Sequence, residues 1–157
     1  MSELTHIDEQ GNARMVDVGG KPLTDRVAIA EGWVELSPEA YEAITSGRIK
    51  KGDVLSIAQL AGIQGAKRTA DLIPLCHPLP LDGVEVEVQP TEGRVHIRAR
   101  AHARWKTGVE MEALTAVSAA ALTVYDMVKA IDKGVRIEGI RLLEKHGGRT
   151  GSYCAGD

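Results

Sequence analysis

Two alternating runs joined by four residues constrain this chain more than anything else in it. Val84, Val86 and Val88 alternate with acids, and Val95, Ile97, Ala99, Ala101 and Ala103 alternate with polar residues. A period of two puts each apolar set on one face of a strand, and Pro90-Thr-Glu-Gly93 between them makes a β-hairpin. Such a hairpin exposes one apolar face that something else in the chain must cover.

The covering element follows directly. Residues of roughly 108–131 form a long helical pattern that ends near Gly134. At 100° per residue, Leu114, Val117, Ala121, Val124, Tyr125 and Val128 fall on one stripe, which is expected to face the sheet. The opposite side carries Glu112, Thr115, Ala119, Leu122, Asp126 and Lys129, small and uncharged in its middle. A solvent-facing helix normally carries charge there, so a second cover is expected, and another subunit is the simplest one.

The flanks complete the pattern. Arg26 to Leu36 is rich in β-branched residues and reads as a strand, with Gly32 as a candidate bulge. Ser37-Pro38 is an N-cap and first-turn proline for a helix running to about Gly47, and Asp53 caps a second helix. In that second helix Val54, Ile57, Ala58 and Ala61 share a face, and Gly62 and Gly65 are read as weak points. One more turn, Lys67 to Leu72, stops before Pro74, and residues 74–81 form an apolar, proline-rich loop. Val135, Ile137 and Ile140 mark a last strand, and Gly147 to Gly151 a mobile tail. The order β-α-α-β-β-α-β is an α+β, ferredoxin-like pattern: an antiparallel sheet with its helices on one face. Residues 1–24 read as an extended or mobile arm, and 25–157 as one α+β domain with a mobile segment from about 145.

Composition narrows the classes. The chain has 157 residues and lacks phenylalanine, so valine, isoleucine, leucine and alanine must fill its core. A net charge of −3 gives no reason to expect nucleic acid or a membrane surface as partner. Two cysteines, Cys76 and Cys154, make no disulfide framework, and no apolar run suggests a membrane span. A reducing, cytoplasmic compartment is the expectation.

Several residues carry plausible chemistry. His77 sits between Pro74 and Pro78 in a stiff apolar loop, which suits an acid–base group of fixed aim and equally a partly buried structural histidine. Its neighbour Cys76 is a possible nucleophile, although a thiol in apolar surroundings is more often inert. Cys76, His77, His96 and His102 do not have common zinc spacings, so no metal is expected. Lys50-Lys51-Gly52-Asp53 places lysine before a helix start, where anions bind, although a solvated turn is the commoner case. Lys67-Arg68 and Lys106-Thr107-Gly108 add cations near helix ends without forming a P-loop. Asp126 and Lys129 at i, i+3 can share a proton or simply form a surface ion pair. Glu112 and Asp126 lie fourteen residues apart, about 21 Å along a straight helix, too far for one small reacting centre.

Eight segments then occur in order: Leu4-Thr-His-Ile7, Met15-Val-Asp-Val18, Lys51-Gly-Asp-Val54, Ala61-Gly-Ile63, Ala66-Lys-Arg-Thr69, Asp71-Leu-Ile-Pro-Leu-Cys-His-Pro78, Thr107-Gly-Val-Glu-Met-Glu-Ala-Leu114 and Ala121-Leu-Thr-Val-Tyr-Asp-Met127. Together they resemble the cyclic pyranopterin monophosphate synthase (MoaC) family of molybdenum cofactor biosynthesis over nearly the whole chain. The resemblance implies conversion of a 3′,8-cyclised dihydro-GTP, supplied by an upstream radical cyclase, to cyclic pyranopterin monophosphate and pyrophosphate. It implies catalytic roles for Asp126, Lys51 and Lys129, with His77 contributing, and substrate contacts from Leu75, Cys76, His77, Glu110, Met111, Glu112 and Lys145. Lys145, Gly147 and Gly148 match a C-terminal segment that closes over the ligand. It also implies a homohexamer, a trimer of dimers with the site at the dimer interface. No tightly bound cofactor is implied, and Mg²⁺ would come only with the substrate triphosphate. Gly19-Gly20 departs from the family pattern, which often has serine there, and this bears on the arm's packing alone. The alternatives are a non-catalytic ferredoxin-like module that binds a nucleotide or pterin, and a zinc hydrolase.

Overall fold

Each boundary read from a cap or a turn has a local cause in the structure. In the computed structural model, residues 4–149 and 151–156 are described; residues 1–3 of the arm, Thr150 of the glycine-rich tail and Asp157 lie outside them. In chain order the elements are β1 (Thr24–Glu35), α1 (Pro38–Thr45), α2 (Val54–Lys67), α3 (Thr69–Leu72), β2 (Gly83–Thr91), β3 (Arg94–Trp105), α4 (Glu110–Val128), β4 (Arg136–His146) and β5 (Tyr153–Cys154). Ser37 Oγ accepts the Ala40 N–H, with Pro38 in the first turn of α1. Asp53 accepts from the Leu55 and Ser56 amides at the start of α2. Between β2 and β3 only Glu92 and Gly93 turn the chain, both with positive φ (48° and 82°), the two-residue turn whose twist suits a hairpin.

The sheet order is β2-β3-β1-β4-β5, with every neighbouring pair antiparallel. The first four strands have the order and directions of the split βαβ arrangement, and β5 adds two residues on the β4 edge. Pro90 falls in β2, an edge strand, where its missing N–H is tolerated. The alternating residues Val95 to Ala103 are fully buried with Ala28, Ala30 and Val34 of β1. On the other face Glu85 and Glu87 stand opposite Arg100 and Arg98.

Four details differ from the sequence expectation. First, α4 finds its second cover, in its middle, within the same chain, because α2 lies on it. Gly62 and Gly65 allow this approach and are not weak points. A Cβ at Gly65 would stand 2.6 Å from the Ala119 Cβ, and one at Gly62 3.1 Å from the Ala116 carbonyl oxygen. The buried face of α2 is therefore Val54, Ala58, Gly62, Gly65 and Ala66, while Ile57 is exposed. Toward the C-terminal end of α4, Leu122 remains 61% exposed.

Second, the irregularities beside Gly32 lie in β4, where the register with β1 shifts twice. Gly32 answers a different need: Val117 of α4 would be 2.7 Å from a Cβ there, so the helix rests on the strand backbone. Third, β4 continues through Lys145 to His146, and β5 pairs with its end. Fourth, α4 by length and composition could cross a membrane, although the sequence suggested no such run. Its apolar residues instead pack on β1, β3 and β4.

Candidate active site at the two ends of one helix

Every site residue taken from the sequence lies near one end or the other of α4. At its N-terminal end, the loop after α3 runs beside the first turn. The Cys76 thiol donates to Glu112 Oε2 at 3.8 Å, and Glu112 Oε1, also buried, has no hydrogen-bond partner among the described residues. Glu112 is only 2% exposed. Burial, with the Glu110 charge adding to it, pushes its carboxyl up to about 7. Glu112 thus holds or releases a proton near neutral pH, as a general acid–base group must. Burial, followed by the charge of Glu112, pushes the Cys76 thiol up to about 11, which makes it a poor nucleophile. A ring nitrogen of His77, Nε2, meets the Val16 carbonyl oxygen, so that nitrogen donates and the arm fixes the ring.

Two cavities open beside this end and share Thr107, Gly108 and Glu110 as a common wall. One, of about 470 Å³, is mainly apolar and lies against Ile73, Pro74, Leu75, Cys76, His77 and Met111. The other, of about 670 Å³, carries the cations Lys21, Arg26, Lys145 and Arg149. Lys145 Nζ lies 3.4 Å from Glu110 Oε1. Arg26 is aimed by its Nη2–H, which donates to the Lys106 carbonyl at 3.3 Å. Gly147 and Gly148, at φ +98° and +81°, pass directly over Asp25 and the Arg26 guanidinium: a Cβ at Gly147 would overlap the Asp25 carbonyl, and both positions hold the left-handed backbone that favours glycine.

At the C-terminal end of α4, Lys51 arrives from the turn before α2. Its Nζ donates to Asp126 Oδ2 and to the Asp126 carbonyl, each at 3.1 Å. Lys129 Nζ lies 2.9 Å from Oδ1. All three side chains are half-exposed. Hydrogen bonds from Lys129 and then Lys51 hold the Asp126 carboxyl below its usual range, and Asp126 in turn raises Lys129. Asp126 therefore stays ionised at neutral pH and orients two ammonium groups, leaving the trio with an excess positive charge.

The structure brings Lys51, Asp126 and Lys129 together, and separately brings Leu75, Cys76, His77, Glu110, Met111, Glu112 and Lys145 together. Within one chain the two groups stay apart, about 21 Å along the α4 axis. His96 Nε2–H donates to Glu31 Oε1 at 2.9 Å, His102 faces Asp25, and among the described residues no three His, Cys, Asp or Glu side chains group around a metal position. Lys21, Arg26 and Arg149 are functional candidates that motif reading missed. The sequence signal is position, and for two of them alone: Lys21 directly follows Gly19-Gly20 and Arg149 directly follows Gly147-Gly148.

The sequence pattern described as the MoaC family matches residues 15–148. A protein of Thermomicrobium roseum named cyclic pyranopterin monophosphate synthase is 59% identical over 98% of this chain and 93% of its own length. One of the same name from Cereibacter sphaeroides is 59% identical over 99% of each chain. A third, from a Methylobacterium species, is 61% identical over 99% of this chain and 98% of its own.

Proposed function

This chain belongs to the MoaC family, and from that premise we propose that it converts (8S)-3′,8-cyclo-7,8-dihydroguanosine 5′-triphosphate to cyclic pyranopterin monophosphate and pyrophosphate. The observation that carries this reading is the pair of adjoining cavities. An apolar slot of ring dimensions shares a wall with a cavity bearing four cations, which is the shape and charge of a fused heterocycle with a polyphosphate tail. In this reading Leu75, Cys76, His77 and Met111 hold the ring system. Lys21, Arg26, Lys145 and Arg149 hold the phosphates, and Mg²⁺ enters with the triphosphate as part of the substrate. The phosphorus–oxygen lyase step is attack of a ribose-derived hydroxyl oxygen on the α-phosphorus. The bond from that phosphorus to its bridging oxygen breaks, and pyrophosphate leaves. Glu112 moves protons during ring rearrangement. The Lys51 and Lys129 ammonium groups, aimed by Asp126, neutralise charge as it develops.

The two ends of α4 lie too far apart to act together in one chain. We therefore assign a complete site to two copies, each giving opposite ends of its helix, within the cytoplasmic trimer of dimers that the family resemblance implies. Incubating the pure protein with the cyclised nucleotide and following pyrophosphate and pterin fluorescence tests the reaction. No product at micromolar enzyme would sink it, and ligand binding without turnover would favour the non-catalytic alternative. Mixing Asp126→Ala with Glu112→Ala chains tests the shared site: each parent is inactive, and verified mixed dimers are expected to regain about a quarter to a half of wild-type activity. No recovery in such dimers would remove the two-chain assignment.

A further inference from the structure

Beside the His77 loop lies a small chamber of about 110 Å³, which has His77 alone in common with the apolar cavity and no lining residue in common with the cation cavity. Its polar walls are Lys67 from α2, Thr69 and Asp71 from α3, His77 from the loop and Glu112 from α4. Water occupies about 30 Å³ per molecule in the liquid, so the chamber has room for roughly three. It also meets the second requirement for internal water, several polar partners at once. Lys67 and Asp71 are exposed, whereas Glu112 is almost fully buried, so the chamber runs from solvent to Glu112.

Glu112 makes this chamber more than a packing defect. Its Oε2 receives the Cys76 thiol, while its buried Oε1 has no partner among the described residues. A buried carboxyl oxygen without a partner is costly, and polar groups in such positions are normally met by ordered water. The wall of the apolar cavity includes Cys76 and Met111 but not Glu112. A ring seated in that cavity would close the front approach to the carboxyl and leave the chamber as its remaining link to solvent. The charged and titratable groups around Glu112 are Glu110 on its own helix, Cys76 and His77 on the loop, Lys67 on α2 and Asp71 on α3.

We propose that this chamber is a water-filled proton inlet through which Glu112 exchanges its proton with solvent by a path separate from the apolar cavity. The proposal deepens the synthase reading by giving the rearrangement a proton supply that stays open when the substrate covers the front.

Ala70 lines the chamber from α3 and is partly buried, and Ala70→Leu narrows it while leaving every charged group in place. The readout is the infrared band of the protonated Glu112 carboxyl, assigned by its loss in Glu112→Gln and followed after rapid mixing into D₂O. Exchange is expected to be at least tenfold slower in Ala70→Leu. In turnover, kcat should fall with KM unchanged and the solvent isotope effect should rise. If Ala70→Leu does not fold, Ala70→Val serves in its place, with about a threefold slowing expected. Equal exchange rates in wild type and a folded variant would overturn the inlet. The exchange measurement needs no substrate. Normal exchange with intact synthase activity removes the inlet alone, and slowed exchange without product removes the synthase reading alone.

Discussion

The two ends of α4 use the same chemical vocabulary, carboxylates beside potential proton donors, and obtain opposite results. At the N-terminal end Glu112 is buried with no cation beside it, the Cys76 thiol meets one of its oxygens, and its proton affinity rises to about 7. At the C-terminal end Asp126 is exposed and gripped by two ammonium groups, and its proton affinity falls. One end can therefore store a proton near neutral pH, and the other can present only fixed charge. Type of residue decides neither role; burial and partner do.

The largest expected effect strikes the charged end. Lys51→Ala and Lys129→Ala should each lower kcat by about 100-fold or more, in line with loss of a charge-stabilising group, while gel filtration shows an unchanged oligomer. Near-normal kcat in either variant would mean that the trio is a structural ion-pair cluster, and the contrast between the ends would lose its functional meaning.

A smaller effect tests the buried end. Glu112 has a folded-state proton affinity above its unfolded value, from 4.5 to about 7. Its contribution to stability is thus complete below pH 4.5 and is lost as pH rises through 7. Glu112→Gln removes that loss. Chemical denaturation should show the variant more stable than wild type by up to about 3 kcal/mol at pH 8 and nearly equal at pH 4. An equal difference at both pH values would show that the carboxyl ionises as easily folded as unfolded.

Between the ends, α2 presses on α4. Gly65→Ala should destabilise by about 1–3 kcal/mol, because the new methyl meets the Ala119 Cβ and the helices must separate. Adding Ala119→Gly should return most of that stability. If the double variant gained nothing, the close approach at this pair would not be what holds the helices.

Much of the fold was legible because it rests on local chemistry. The period-two runs around Glu92-Gly93 and the caps at Ser37 and Asp53 each declare themselves within a few residues. The cover of α4 was not, because a glycine in a helix reads equally as a weak point or as a close contact until its neighbour is known. The site divided along the same line. Asp126 and Lys129 are neighbours on one helix and were visible as a pair, whereas Lys51 is 75 residues from Asp126 in sequence and joined them through family resemblance alone. The cation cavity draws Lys21 and Arg26 from one stretch and Lys145 and Arg149 from another far along the chain, brought together at the Gly147-Gly148 crossing, and no local pattern announces that.

The glycine contacts between α2 and α4 have a mechanical consequence. Where long side chains separate two helices, they can repack and absorb a displacement; where Gly62 and Gly65 bring backbone against backbone, little is left that can yield. The pair should behave as a stiff beam, with Lys51 hinged just before one member and Asp126 near the end of the other. The reach of that lysine to that aspartate is then set as much by two residues without side chains as by the charges themselves.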